Sequence, residues 1–219
     1  MSVVPAPTGD FLVAAEAALA LIGRVEVAQH WSEPSALQGM SIGAVAAHLG
    51  QQVQLVHGAV TAGGAASDDP PVPLLQHYRR ASWVRAGVED ESNRSIREGA
   101  EQTARAGHDA LVLSLQQELT EVRRGFHASA GRPARGVRLP TWEWTLSFDD
   151  FLLTRVMELV VHADDLAVSV DVEPTALPDA VLGPVLALLV GVSLERHGQA
   201  ALVRALTRRE RAPETIAAF

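Results

Sequence analysis

"RVMELVVHADDLAVSV", residues 155–170, is helix-forming and mostly apolar, yet Arg155, Glu158, His162 and Asp165 interrupt it. An ionised group taken out of water is costly unless something pairs with it. At about 100° per residue these four, together with Ser169, fall within an arc of roughly 80° that also contains Phe151. Asp164 points the opposite way. A solvated helix face carries interchangeable long charges. This stripe instead sets a carboxylate and an imidazole one turn apart, which is metal-ligand spacing. Self-contained ion pairs, Arg155 with Glu158 and His162 with Asp165, would satisfy it equally well. The Glu-x-x-x-His pair matches neither the His-Glu-x-x-His of zinc peptidases nor the Glu-x-x-His of di-iron bundles.

A metal site needs a third ligand from elsewhere. Of the other histidines, His48 in "SIGAVAAHLGQQVQL" is the one set in an apolar helix, beside the face formed by Ile42, Leu49, Val53 and Val56. His30 ends a helix, and His57, His77, His108, His127 and His197 lie near loops. Two facing helices would bring His48 against Glu158 and His162.

Working outward, apolar periodicity predicts helices over about 9–30, over 41–62 with Ser41 as N-cap, and over 91–127. A shorter helix is expected around "LLQHYRRASWV". Turn-rich stretches at 31–39, 61–73 ("TAGGAASDDPPVP") and "AGRPARG" separate them. The alternation in "TWEWTL", 141–146, suggests a short strand, and Asp149 or Asp150 could open the helix carrying the polar stripe. Four long helices joined by loops imply a mainly α protein, an antiparallel four-helix bundle. Residues 1–170 form the bundle in this reading, and 171–219 form a short helical extension packed on it.

Composition narrows the function classes. The net charge of -8 argues against nucleic acid as a partner. With no cysteine, disulfides, thiolate ligands and cysteine nucleophiles are excluded within the chain. The first residues make a poor signal peptide, and the apolar run 181–192 is too short to span a bilayer. A cytoplasmic location with no membrane partner is the plain expectation. Every basic residue is arginine, a pattern of GC-rich coding.

Two blocks, "WSEPSALQGMSIGAVAAHLG" and "LLTRVMELVVHADDLAV", resemble the mycothiol-dependent maleylpyruvate isomerase family, within the DinB-like metal-binding four-helix bundles. The first carries Trp, Pro-Ser, Leu-x-Gly and a capped helix reaching Ala-His-Leu. The second carries Thr-Arg, then Glu-x-x-x-His, then Asp-Leu. The resemblance implies a divalent metal, zinc foremost with nickel or iron as alternatives, held by His48, Glu158 and His162. It also implies mycothiol or a similar external thiol as cosubstrate, used to transfer sulfur to, or to isomerise, a small electrophile. Such a thiol belongs to actinomycetes. Asp165 is then a candidate for orienting a histidine or holding substrate, and Arg155 for fixing Glu158. The isomerases have a larger C-terminal domain that contributes to their active site, whereas the segment after Val170 is short. Arg204, Arg208, Arg209 and Arg211 are therefore expected to be solvated charges. Competing readings are a non-catalytic binding or assembly module, and a metal-dependent hydrolase with Asp165 as general base.

Overall fold

The computed structural model describes residues 6–61, 66–84, 90–128 and 136–219. Their architecture is mainly α, as expected. The helices are α1 (Ala6–Ile22), α2 (Val25–Gln29), α3 (Ile42–Thr61), α4 (Leu74–Arg80), α5 (Glu91–Ala104), α6 (His108–His127), α7 (Phe148–Ser169) and α8 (Asp179–Thr207). Helices α1, α3, α6 and α7 make the bundle: α1 packs on α7 and α6, and α3 on α6 and α7. Helix α5 lies against α3, and α8 against α7, α1 and α4. The core lies between the bundle helices and includes Phe11, Leu49, Leu115, Phe151 and Leu159.

Two expected helices are each broken in two. The 9–30 segment divides at Gly23, where Arg24 takes an extended conformation before α2. The 91–127 segment divides at Gly107, whose φ of 88° lies in the left-handed region open to glycine. This second break frees the Ala104 carbonyl to accept a hydrogen bond from Trp31 Nε1 at 3.0 Å. Trp31 thereby ties the 31–39 connector to the end of α5.

Helix α3 starts as predicted, with Ser41 Oγ accepting from the Ala44 N–H at 3.1 Å. Glu101 of α5 accepts from both the backbone N–H and the hydroxyl of Ser41, at 2.7 and 3.0 Å. Helix α7 begins differently. Its cap is Ser147, whose Oγ accepts from Asp150 N–H at 3.0 Å, and Asp149 and Asp150 fall in the first turn. There they favour the positive end of the helix dipole.

The strand expected at 141–146 is a correction. Among the described residues, regular pairing is confined to β1 (Ala66–Ser67) with β2 (Gly136–Val137), antiparallel. Thr145 and Leu146 make isolated bridges to Pro71 and Val137, while 141–144 bend. The loop expected at 61–73 lies partly, and "AGRPARG" almost wholly, outside the described residues.

The apolar run 181–192 belongs to a longer element than its own length suggested. Helix α8 covers 29 residues, with Gly198 at φ 80° breaking its regularity. Among the described helices it is the one long and apolar enough, by length and composition, to cross a membrane. Its Val181, Val185, Leu188 and Val192 are buried, while Leu186, Val190 and Leu194 are exposed. Beyond it the chain returns along α8. Ser193 Oγ and Arg196 Nη1 donate to the carbonyls of Ile216 and Ala218 at 2.7 and 3.3 Å, and His197 Nε2 lies 2.8 Å from the Ala217 carbonyl. Phe219 rests on Tyr78 and Trp83. Arg204, Arg208, Arg209 and Arg211 are exposed, as expected.

The helix-to-connector joint is tight at Gly43, where an added Cβ would fall 2.6 Å from the Trp31 ring. Gly43→Ala should therefore lower stability by about 1–3 kcal/mol through overpacking. Gly58→Ala, on the same helix with open space around its Cα, should be neutral or slightly stabilising. Parallel thermal or urea melts of the two variants check this.

Candidate metal centre

The stripe on α7 is turned toward α3. His162 sits between two carboxylates of its own helix, with Nε2 3.1 Å from Glu158 Oε2 and Nδ1 2.9 Å from Asp165 Oδ2. The His48 ring of α3 meets the His162 ring edge to face, with centroids 4.6 Å apart. One donor atom each from His48, Glu158 and His162 lies within 4.8 Å of the others. Asp164 is exposed, as the helical wheel required.

Whether these residues fit a metal is tested by the groups themselves. A tetrahedral ion with bonds near 2.0–2.1 Å sets its ligands roughly 3.4 Å apart, within reach of small side-chain rotations. His48 Nδ1 is buried without a hydrogen-bond partner, an arrangement that natural interiors avoid unless something else engages the atom. Two imidazoles and a carboxylate form a donor set that suits zinc and other first-row ions. The residues fit.

Burial and charge tune each group. Desolvation, reinforced by the neighbouring His162 charge, lowers the His48 pKa to about 4, so this imidazole is neutral at physiological pH. Burial opposes charge on Glu158 as well. The hydrogen bond and charge of His162, with the charges of Arg155 and His48, outweigh it and hold the carboxylate at about 2. For His162, burial again pulls against charge, but the hydrogen bonds it donates to Asp165 and Glu158 hold it up at about 9. Without metal, His162 is therefore an imidazolium at neutral pH, donating Nδ1–H to Asp165 and Nε2–H to Glu158.

Asp165 stands where a histidine-orienting carboxylate belongs. Ser169, the last member of the stripe, donates to the Asp165 carbonyl at 2.6 Å and accepts from the Ala36 N–H at 2.9 Å. It thus pins the 31–39 connector to α7. Arg155 departs from expectation. It does not pair with Glu158; its Nη1 donates to Gln52 Oε1 at 2.6 Å and its Nε to Thr154 Oγ1 at 3.1 Å. Gln52 comes from α3 and is within hydrogen-bonding reach, whereas Glu158 is engaged by His162. Arg155 is 7% exposed, and its guanidinium lies over Phe151. No carboxylate of a described residue stands within ion-pair distance of it.

Most of the remaining histidines serve structure. His57 pairs with Glu121, His30 with Glu33, and His108 contacts the Ile22 carbonyl and Asp109. His77 is the exception that sequence reasoning passed over. Placed near a loop, it is in fact buried on α4 against Trp142, Trp144 and Tyr78. Its Nδ1 accepts from Trp144 Nε1 at 3.0 Å. Burial, aided by the Arg155 charge, lowers its pKa to about 4. The adjoining Tyr78 hydroxyl is buried with no hydrogen-bond partner. Alternation in "TWEWTL" was the available signal, since it sets Trp142 and Trp144 on one side of an extended segment. The two indoles are stacked within 3° of parallel.

Comparison with known protein families adds the deciding observation. The family model described as the mycothiol maleylpyruvate isomerase N-terminal domain matches residues 11–167. The chain belongs to this family. Membership supports a mycothiol-related, metal-binding bundle, and the matched span contains His48, Glu158, His162 and Asp165. No curated protein matches the chain, and no solved structure does.

The charge state of His162 gives a pH signature. Its folded pKa of about 9 lies above the ordinary 6.5, so its stabilising effect is complete below pH 6.5 and is lost as pH rises through 9. Chelator-treated protein should thus lose thermal stability between pH 7 and pH 9. His162→Gln, which cannot titrate, should show a flatter profile over the same interval.

Proposed function

We propose that this chain is a metal-dependent enzyme that uses a low-molecular-weight thiol, mycothiol foremost, either to transfer sulfur to a small electrophile or to isomerise one. The observation that carries this reading is the convergence of His48, Glu158 and His162, with His48 Nδ1 buried and unpartnered. A divalent ion held by these three, zinc foremost, supplies a Lewis acid that lets a thiol ionise near neutral pH. A chain without cysteine leaves the nucleophilic sulfur to an external molecule.

The chain's own residues divide the remaining work. His48, neutral because it is buried, needs no proton removed before it can act as a ligand. Asp165 holds Nδ1–H of His162 and so aims Nε2 toward Glu158 and His48. Arg155 is a buried cation with neutral partners, suited to an anionic group on the electrophile such as a carboxylate. In the isomerising reaction a C–S bond forms at one alkene carbon and the double bond becomes single. The electron pair moves onto the conjugated carbonyl, rotation follows, and expulsion of the thiolate restores the double bond in trans. In the transferring reaction the C–S bond is kept and the electrophile takes up a proton or loses its leaving group.

Engagement of Asp165 by His162 argues against the hydrolase reading, which required that carboxylate as a free general base.

His48→Ala and His162→Ala should each lose most of the metal measured by elemental analysis after purification without chelator. Full occupancy in both variants would move the site elsewhere. Asp165→Asn should still load at saturating zinc, with affinity or turnover down about 10- to 100-fold. In cobalt-substituted protein, mycothiol should produce a sulfur-to-metal charge-transfer band. An unchanged spectrum, with no thiol-dependent reaction across a panel of electrophiles, favours a non-catalytic binding module.

A further inference from the structure

Hydrogen-bond donors on α4 and α7 remain that the metal centre does not use. The Tyr78 ring is held by His77, Trp83 and Phe219, with ring centroids 4.9, 6.1 and 5.8 Å away. Its buried hydroxyl nevertheless bonds to no described residue. Interior hydroxyls normally find a partner, and a ring clamped by three others is not free to swing toward one. Burial, reinforced by the Glu158 charge, raises the Tyr78 pKa, so the hydroxyl keeps its proton and can donate it.

His77 supplies a second donor. An indole N–H can only donate, so the Trp144 bond makes His77 Nδ1 the acceptor and puts the proton of the neutral ring on Nε2. That N–H has no hydrogen-bond partner among the described residues. Arg155 supplies the third. Its Nε and Nη1 are engaged by Thr154 and Gln52, whereas Nη2 bonds to no described residue. A shared aromatic frame carries these groups. The Trp142 ring lies 4.7 Å from His77 and 6.3 Å from Phe151, and the Arg155 guanidinium stands 5.8 Å from the Phe151 centroid. The Arg155 charge acts on both His77 and Tyr78.

Together they offer one positive charge and two neutral donors. The group that complements them has one negative charge and several lone pairs, which describes a carboxylate. A phosphate dianion would bring a second charge with no counter-charge to offset its desolvation. We infer that Arg155, His77 and Tyr78 form one recess for a carboxylate of the electrophile, with Arg155 supplying charge and the two α4 donors fixing orientation. Being uncharged, His77 and Tyr78 add direction without repelling the guanidinium. The assignment rests on the reading of the electrophile above and adds to it the two residues of α4.

The test uses the full chain, metal-loaded and chelator-treated, with butyrate, its uncharged amide butyramide and inorganic phosphate as probes in ligand-observed NMR. Butyrate should bind both forms of the protein, about tenfold or more tightly than butyramide or phosphate. Tyr78→Phe should weaken butyrate binding about three- to tenfold. The same variant should melt at or above the wild-type temperature, since the lost hydroxyl had no partner to leave behind. Arg155→Gln should erase the preference for butyrate over butyramide. In nitrogen-edited proton spectra the His77 Nε2–H resonance should move on saturation with butyrate. Wild-type affinity or a lowered melting temperature in Tyr78→Phe, or an unmoved His77 resonance, overturns the recess. Binding to the metal-loaded form alone also overturns it, because the carboxylate then sits on the metal. A thiol-dependent cobalt band without butyrate binding removes the recess and retains the thiol reading. Butyrate binding without such a band retains the carboxylate site and removes the thiol reading.

Discussion

A histidine held between two carboxylates inside a helical bundle is the constraint on which the rest depends. Glu158 is largely withdrawn from solvent and still ionised, because His162 lies against it and Arg155 adds to the positive potential. His162 in turn keeps its proton because Asp165 closes its other edge. Removing His162 leaves two partly buried carboxylates without the cation between them, the costly way to break a buried pair. Around it, Ser169 fastens the connector to α7, and Ser41 with Glu101 fastens α3 to α5. The Arg155–Gln52 bond then joins α7 to α3 directly.

Helical register made the site legible. A helix converts sequence spacing into angle with little freedom, so the grouping of Arg155, Glu158, His162, Asp165 and Ser169 on one side of α7 follows from period alone. The third member, His48, was readable because an imidazole set in an apolar helix needs a partner. The Ser41 cap was readable for a similar reason: a hydroxyl immediately before an apolar periodic run satisfies free N–H groups. What period cannot supply is the partner chosen across a gap. Arg155 faces both Glu158 and Gln52, and only the approach of α3 gives it to Gln52.

The less legible features share another cause. Gly23 and Gly107 break helices that the apolar pattern carries straight through, because glycine within a periodic run is compatible with continuation or with a turn. At Gly107 the chain turns with its N–H on the Ala104 carbonyl, which also accepts from the Trp31 indole of a distant part of the chain. Similarly, "TWEWTL" has the alternation of a strand but pairs only at Thr145 and Leu146. Its tryptophans are committed to His77 instead, and tertiary contact overrides local preference. His77 itself gave little warning, since a histidine near the end of a short helix is more often solvated.

The returning segment at 216–219 shows a different kind of tolerance. Helix α8 grips it through the backbone carbonyls of Ile216, Ala217 and Ala218, using Ser193, Arg196 and His197, so the identity of the gripped residues contributes little. Phe219 engages through its ring, against Tyr78 and Trp83. Over evolutionary time the three carbonyl positions can drift with little penalty, while the aromatic position and its two ring partners must change together. Divergence in this stretch would then be a record of backbone recognition, and it would carry no information about the chemistry at the metal centre.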